Sequence, residues 1–157
     1  MSATIASKLS ALGHRLPEAS APAANYVSTA RAGNLLIVSG QISVRDDEVL
    51  TGILGTGVSH EEGRIAAEYA AISVLSQIAT ATDGTLAAVR RVVRLGVFIA
   101  STPDFAEHSQ VANGASDLFV AVFGEAGRHA RAAVGVAALP AGAMVEVDAL
   151  VDLEPAA

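Results

Sequence analysis

The sequence predicts an α+β domain, with helices packed on one face of a mixed sheet, and three observations carry that expectation. In the stretch 145–153 the odd positions Val145, Val147, Ala149, Val151 and Leu153 are all apolar, while the even ones include Glu146, Asp148 and Asp152. This period of two belongs to a half-buried strand, and it puts Glu146 opposite the buried face. Ser59 and Glu62 form a capping box, and behind them Ile65, Tyr69, Ile72, Leu75 and Ala79 recur at spacings of 3 and 4. That spacing marks an amphipathic helix. From about residue 26 onward the segments read β-β-α-β-α-β-β, an order that suits helices laid on a single sheet face.

Each element has its own signal. Residues 3–12 read as a short helix closed by Gly13, followed by an extended lead-in over 16–24 that holds Pro17 and Pro22. Residues 26–30 and 35–39 are strand-like, and Ala32-Gly33-Asn34 between them is a hairpin turn. Asp46-Asp47 marks a further turn, and Asp83-Gly84 ends the first long helix. Residues 89–100 read as a strand, with Val93, Leu95, Val97 and Ile99 on one face. A second helical region begins at Thr102-Pro103 and runs to about Phe123, with a break near Ser109. Finally, 131–138 and 144–153 read as strands joined in a hairpin by Leu139-Pro140-Ala141-Gly142.

Composition narrows the function. The 157 residues are 52% hydrophobic and carry ten basic against sixteen acidic side chains, a net charge of −6. A chain of this length fits one domain, 1–157, and can bury roughly 70% of its unfolded surface without staples. There is no cysteine, so thiolate metal sites, disulfides and a Cys nucleophile are excluded. Mean hydropathy is high at +0.46. The longest uncharged runs, 69–82 and 132–145, nonetheless fall short of the roughly 20 residues a spanning helix needs. Lys8 interrupts the N-terminal segment where a leader would need a continuous apolar core. The expectation is a cytoplasmic protein with no membrane partner, whose surplus apolar surface is covered by subunit contacts. The acidic balance and the few aromatics (two Tyr, four Phe, no Trp) argue against nucleic acid as a partner. Arg90, Arg91 and Arg94 read as a solvated strand edge.

Four familiar constellations can be set aside. Gly52, Gly55 and Gly57 do not form a dinucleotide fingerprint, and there is no nucleophile elbow. His14, His60, His108 and His129 are scattered, so no metal or cofactor is expected, and His14 and His129 are expected at the surface. Asp46-Asp47-Glu48 reads as a solvated turn. Arg131 differs, because it opens an apolar run where an unpartnered guanidinium is costly. It either pairs with Asp148, Asp152 or Glu154 across the expected hairpin, or docks a carboxylate ligand with two parallel hydrogen bonds. In a hairpin centred near Ala141, Arg131 and Glu146 lie about five residues, roughly 16 Å, apart along the sheet, too far for a salt bridge.

These residues carry a resemblance. Arg131-Ala132-Ala133-Val134, then Leu139-Pro140, then Val145-Glu146-Val147-Asp148-Ala149 resembles the C-terminal signature of the RidA/YjgF family of reactive imine/enamine deaminases. Leu36-Ile37-Val38-Ser39-Gly40-Gln41-Ile42 is similar to its strand ending in Ser-Gly-Gln. Asn25-Tyr26-Val27 stands at the place of its tyrosine, and Asn113 with Phe119 matches its Asn-bearing helix. The match covers a core of 24–153, with 1–23 as an N-terminal extension, similar to a longer subgroup of about 155 residues. The resemblance implies a chorismate-mutase-like fold in a homotrimer with clefts between subunits. It implies that Arg131 holds a substrate carboxylate and Glu146 positions the attacking water, with Tyr26, Ser39, Gly40, Asn113 and Ala133 lining the cleft. The sequence departs from the family pattern at Ala132 and Ala133, at His129 in place of proline, and at Ser116 in place of an aromatic residue.

The activity so implied is hydrolysis of small 2-imino acids to 2-keto acids and ammonia, with no cofactor. The alternative is a non-catalytic trimer that binds small carboxylate metabolites, and ribonuclease activity is a third reading.

Overall fold

A computed structural model describes residues 2–156. Met1 and Ala157, the ends of the expected span, lie outside the described residues. The elements are α1 (Ile5–Ala11), β1 (Thr29–Ala32), β2 (Leu35–Ile42), β3 (Val44–Arg45), β4 (Glu48–Val49), α2 (His60–Ala81), β5 (Val89–Ala100), α3 (His108–Phe123), β6 (Ala130–Val136) and β7 (Val145–Leu153). Five strands form one sheet in the order β1-β2-β7-β5-β6, and β3 and β4 form a separate two-stranded ribbon. The α+β class and the order of the main elements match the expectation.

Local chemistry accounts for the boundaries. The Ser59 hydroxyl accepts from the Glu62 amide at 3.1 Å, and the Glu62 carboxylate accepts from the Ser59 amide at 2.8 Å. Two otherwise orphaned N–H groups are thereby satisfied at the start of α2. Asp46 and Asp47 both have positive φ, 49° and 66°, as the tight turn between β3 and β4 requires. Thr102 and Pro103 precede α3, which starts only at His108. Tyr26 lies in a bend before β1 and not in a strand.

Two pairings differ from the sequence reading. β6 and β7 do not form a hairpin. β6 lies parallel to β5, with Leu95 opposite Arg131, while β7 runs antiparallel between β2 and β5. The α3 crossover returns the chain in the direction of β5, so β6 joins as a parallel edge strand. The segment Pro140–Gly142, with Ala141 at φ 56° and Gly142 at φ 69°, then carries the chain past β5 to the middle of the sheet. The register also shifts between Val92 and Arg94. That bulge turns Val92 into the core and leaves Val93 exposed.

α2 and α3 cover one sheet face. β7 alternates buried and half-buried residues along its whole length, with Val145, Val147, Ala149, Val151 and Leu153 under the helices. The buried face of α2 is wider than the expected stripe. Ala66, Ala67, Ala70, Ala71, Val74, Leu75 and Ile78 are all fully buried, whereas Ile65 and Tyr69 sit at its margin. Small side chains let α2 pack closely against both the sheet and α3. A Cβ on Gly114 of α3 would overlap the backbone carbonyl of Arg64. Gly114→Ala is therefore expected to cost about 2–3 kcal/mol by overpacking. The corresponding drop in melting temperature is roughly 5–10 °C, checked by calorimetry. Ile5 and Leu9 of α1 are fully buried in the same core cluster.

Candidate functional site

Arg131 stands on the edge strand β6, in register with Leu95, so its side chain lies on the helix-covered face beside α3. Its Nη1 donates to Asn113 Oδ1 at 2.9 Å and to Ser116 Oγ at 3.1 Å. Both acceptors are neutral, one and two turns along α3 from its start. The carboxylates that could have neutralised it are engaged elsewhere. Asp148 faces Arg94 at 3.6 Å, and Arg90 approaches Asp152 at 3.6 Å and Glu154 at 4.0 Å. Among the described residues Arg131 has no carboxylate within 4 Å, so its charge is held in place by neutral hydrogen-bond partners and left uncompensated. Of the two alternatives the sequence left open, the pairing with Asp148, Asp152 or Glu154 does not form. Its geometric premise, the β6–β7 hairpin, is absent.

Of the other predicted residues, Glu146 and Gly40 lie on the far side of the sheet. Glu146 is in register with Phe98, facing away from the helices, and Asp148 follows on the same face beside Gly96. The β2 ladder is interrupted between Val38 and Gln41, and this irregularity brings Gly40 against Glu146. A Cβ on Gly40 would lie 2.9 Å from the Glu146 carboxyl carbon, so glycine makes room for the acid. Ser39 Oγ donates to the Val27 carbonyl at 2.7 Å, which fixes the segment next to Tyr26. Gln41, itself buried, donates to the Ser39 carbonyl at 3.1 Å. Gly40 and Glu146 thus form one group, with Ser39 next to Gly40 and Tyr26 tied in only through the neighbouring Val27. Arg131 and Asn113 form another, with Ala133 two residues on along the same face of β6.

Within one chain the two groups are separated. Arg131 and Glu146 differ by three register positions and two strand spacings, about 10 Å each way at ordinary sheet dimensions. They also point to opposite faces.

Burial, and secondarily the charge of Asp148, raises the pKa of Glu146 above the ordinary carboxylate range. A carboxylate so placed is a better proton acceptor than a solvated one.

Two residues of the site were not assigned to it from sequence. Ser116 Oγ lies 2.9 Å from His129 Nε2, and His129 Nδ1 lies 2.7 Å from the Gly127 carbonyl. His129 is half-buried in this network and is not the surface residue expected. Burial lowers its pKa, the Gly127 hydrogen bond opposes this, and the Arg131 charge lowers it further. The available signal was that both positions depart from the pattern that Arg131 and Asn113 follow. His14, also expected at the surface, instead contacts Glu68 and is largely covered.

A cavity of about 410 Å³ opens elsewhere, between residues 13–20, β3 and the Tyr69–Ser76 face of α2. Of the predicted site residues, none lines it.

The arrangement defines a class: a small α+β domain of chorismate-mutase-like fold with an arginine on its edge strand. Residues 6–153 match the family described as YjgF/chorismate mutase-like, putative endoribonuclease, and the chain belongs to that YjgF/RidA family. It is 54% identical over 154 residues to Protein TCP17 of Trypanosoma cruzi, covering 97% of this chain and 96% of that one. Protein Atu1372 of Agrobacterium tumefaciens, of unknown function, superposes with a TM-score of 0.89 at 45% identity, covering 96% of this chain and 94% of that one. A putative endoribonuclease of Shewanella oneidensis superposes with a TM-score of 0.91 at 32% identity, covering 96% and 100%. Among the described residues no helix is long and apolar enough to cross a membrane.

Proposed function

We propose that the protein hydrolyses small 2-imino acids to 2-keto acids and ammonia, in clefts between the subunits of a homotrimer. The observation that carries this reading is the uncompensated guanidinium of Arg131, held by Asn113 and Ser116 with its Nε and Nη2 free of partners among the described residues. Such a group is built to take a carboxylate. Assembly supplies the other half of the site. The sheet face away from the helices exposes Ile37 (40%) and Val134 (46%) around Glu146. A second copy covering that face would bring its own Arg131 edge toward this Glu146.

The chemistry needs little more. Arg131 fixes the carboxylate, which orients the electrophilic iminium carbon. Glu146 takes a proton as water attacks that carbon, giving a tetrahedral carbinolamine. The proton then passes to the nitrogen, the C–N bond breaks, and the carbinol hydroxyl proton goes to the departing ammonia, which leaves as ammonium as the carbonyl forms. Each turnover consumes one water and returns Glu146 to its starting state. The experiment generates iminopropionate with an amino-acid oxidase and follows its loss with and without the protein. Accelerated loss supports the reading; loss at the uncatalysed rate refutes it.

A second reading is favoured by Ala132 and Ala133, which offer no polar side chains beside Arg131. In that case the trimer binds small carboxylates without turning them over. Pyruvate at 100 times its dissociation constant then raises stability by about 2.7 kcal/mol. A melting-temperature shift with no imine hydrolysis identifies this case.

A further inference from the structure

The hydrogen bonds behind Arg131 have a direction that can be assigned atom by atom. The Gly127 carbonyl can only accept, so His129 Nδ1, 2.7 Å away, carries the ring hydrogen. In the neutral ring Nε2 is then an acceptor, and the Ser116 hydroxyl, 2.9 Å away, donates to it. The Ser116 oxygen is left to receive Arg131 Nη1 at 3.1 Å. The second Nη1 hydrogen goes to Asn113 Oδ1 at 2.9 Å. Both Nη1 hydrogens are thus committed, so the end of the guanidinium formed by Nη1 and Nη2 cannot grip an anion with two bonds. The edge formed by Nε and Nη2 can.

We propose that Ser116 and His129 are positioning residues that, with Asn113, hold Arg131 so that its Nε–Nη2 edge receives the substrate carboxylate. This rests on the reading of Arg131 as the carboxylate anchor, and it names the pair that departs from the family pattern as the device that sets the anchor's orientation.

The relay has one working protonation state. A proton on His129 Nε2 turns that atom into a donor, and the Ser116 hydroxyl hydrogen must swing away. Charged groups near the ring are few. Arg131 lies beyond Ser116, Arg91 reaches from β5 to the Arg128 carbonyl at 3.0 Å, and Arg128 pairs with Glu125 at 3.1 Å. Asn113 and Ser116 on α3 are uncharged. Among the described residues no carboxylate lies within 4 Å of His129, and only its hydrogen bond to the Gly127 carbonyl favours the cationic form.

The test is side-chain nitrogen NMR on the full-length protein together with a pyruvate titration. His129 is expected as the Nδ1-protonated tautomer at pH 8, with the Arg131 Nε–H resonance moving as His129 titrates. Ser116→Ala is expected to abolish that coupling and weaken pyruvate binding about tenfold. Ser116→Thr keeps the hydroxyl and should stay within about threefold of wild type. His129→Gln, whose amide oxygen can accept from Ser116, should retain binding while removing the pH-dependent movement. An Nε2-protonated ring, or a Ser116→Ala protein that binds pyruvate as wild type does, overturns the proposal. If wild type shows the coupling yet binds no pyruvate, the carboxylate anchor is what fails.

Discussion

Arg131→Ala is expected to slow iminopropionate hydrolysis by at least about 100-fold while leaving the fold intact. The loss has two sources. A bidentate charge-assisted contact to the substrate carboxylate is worth about 1.5–3 kcal/mol per hydrogen bond. Without it the imine carbon is also no longer held against the attacking water. The fold survives because Arg131 sits on an edge strand and makes no ion pair among the described residues. The main structural consequence is that Asn113 Oδ1 and Ser116 Oγ lose a donor, and both lie where water can replace it. Arg131→Lys separates charge from shape. A lysine keeps the cation but cannot satisfy Asn113 and Ser116 while presenting two parallel donors, so most of the activity should be lost there too. Steady-state kinetics at several imine concentrations, with circular dichroism as the control, checks both variants. A rate within threefold of wild type for Arg131→Ala would remove the anchor from the mechanism.

Glu146→Gln is expected to abolish turnover and, unusually for an active-site change, to raise stability. The activity loss should reach 10²–10⁴-fold, the range for a positioned general base, because the amide cannot accept the proton from water. The stability gain follows from the pKa. Burial and Asp148 raise Glu146 in the folded chain, so the folded state binds the proton more tightly than the unfolded state does. At pH values below the ordinary carboxylate range both states are protonated and no penalty exists. As pH rises through that range and then through the raised folded value, the native carboxylate becomes a cost, which levels off above it. The variant should therefore melt higher than wild type at pH 8, with the difference vanishing near pH 3–4. Melting temperatures across that range test the sign directly. Gly40→Ala is a milder probe of the same acid. Its methyl group would push the Glu146 carboxylate aside and should lower activity with little change in melting temperature.

Much of the architecture was legible because it rests on local signals. The alternation of 145–153, the Ser59–Glu62 box and the Asp46-Asp47 and Asp83-Gly84 turns each encode an element in adjacent residues, and each is found in place. What was not legible is pairing. Period-two alternation says that β7 has a buried face, but not that its neighbours are β2 and β5, since an edge and a central strand alternate alike. The hairpin reading of 139–142 failed for that reason. The bulge at Val93 is likewise invisible in a run of valines. In α2 the periodicity followed the large residues, whereas the close packing is made by alanines, which a stripe of Ile and Leu does not reveal.

The site divides in the same way. Arg131 stood out because a guanidinium in an apolar run needs a reason, whereas the alternation gave only the face of Glu146 and the family resemblance made it a site candidate. That the two face opposite sides of the sheet follows from β6 joining parallel to β5, a tertiary fact. Ser116 and His129 are thirteen residues apart and meet only because α3 folds back along β6. No local pattern links them, beyond the fact that both positions are unusual beside a residue that is not.

The most direct measurement is a crystal structure of the assembled protein grown with pyruvate. The expected result is the pyruvate carboxylate on the Nε–Nη2 edge of Arg131, with Glu146 of a neighbouring copy within one water of the keto carbon. An Arg131 paired instead with a protein carboxylate, or a pyruvate bound with no contact to Arg131, would contradict the account.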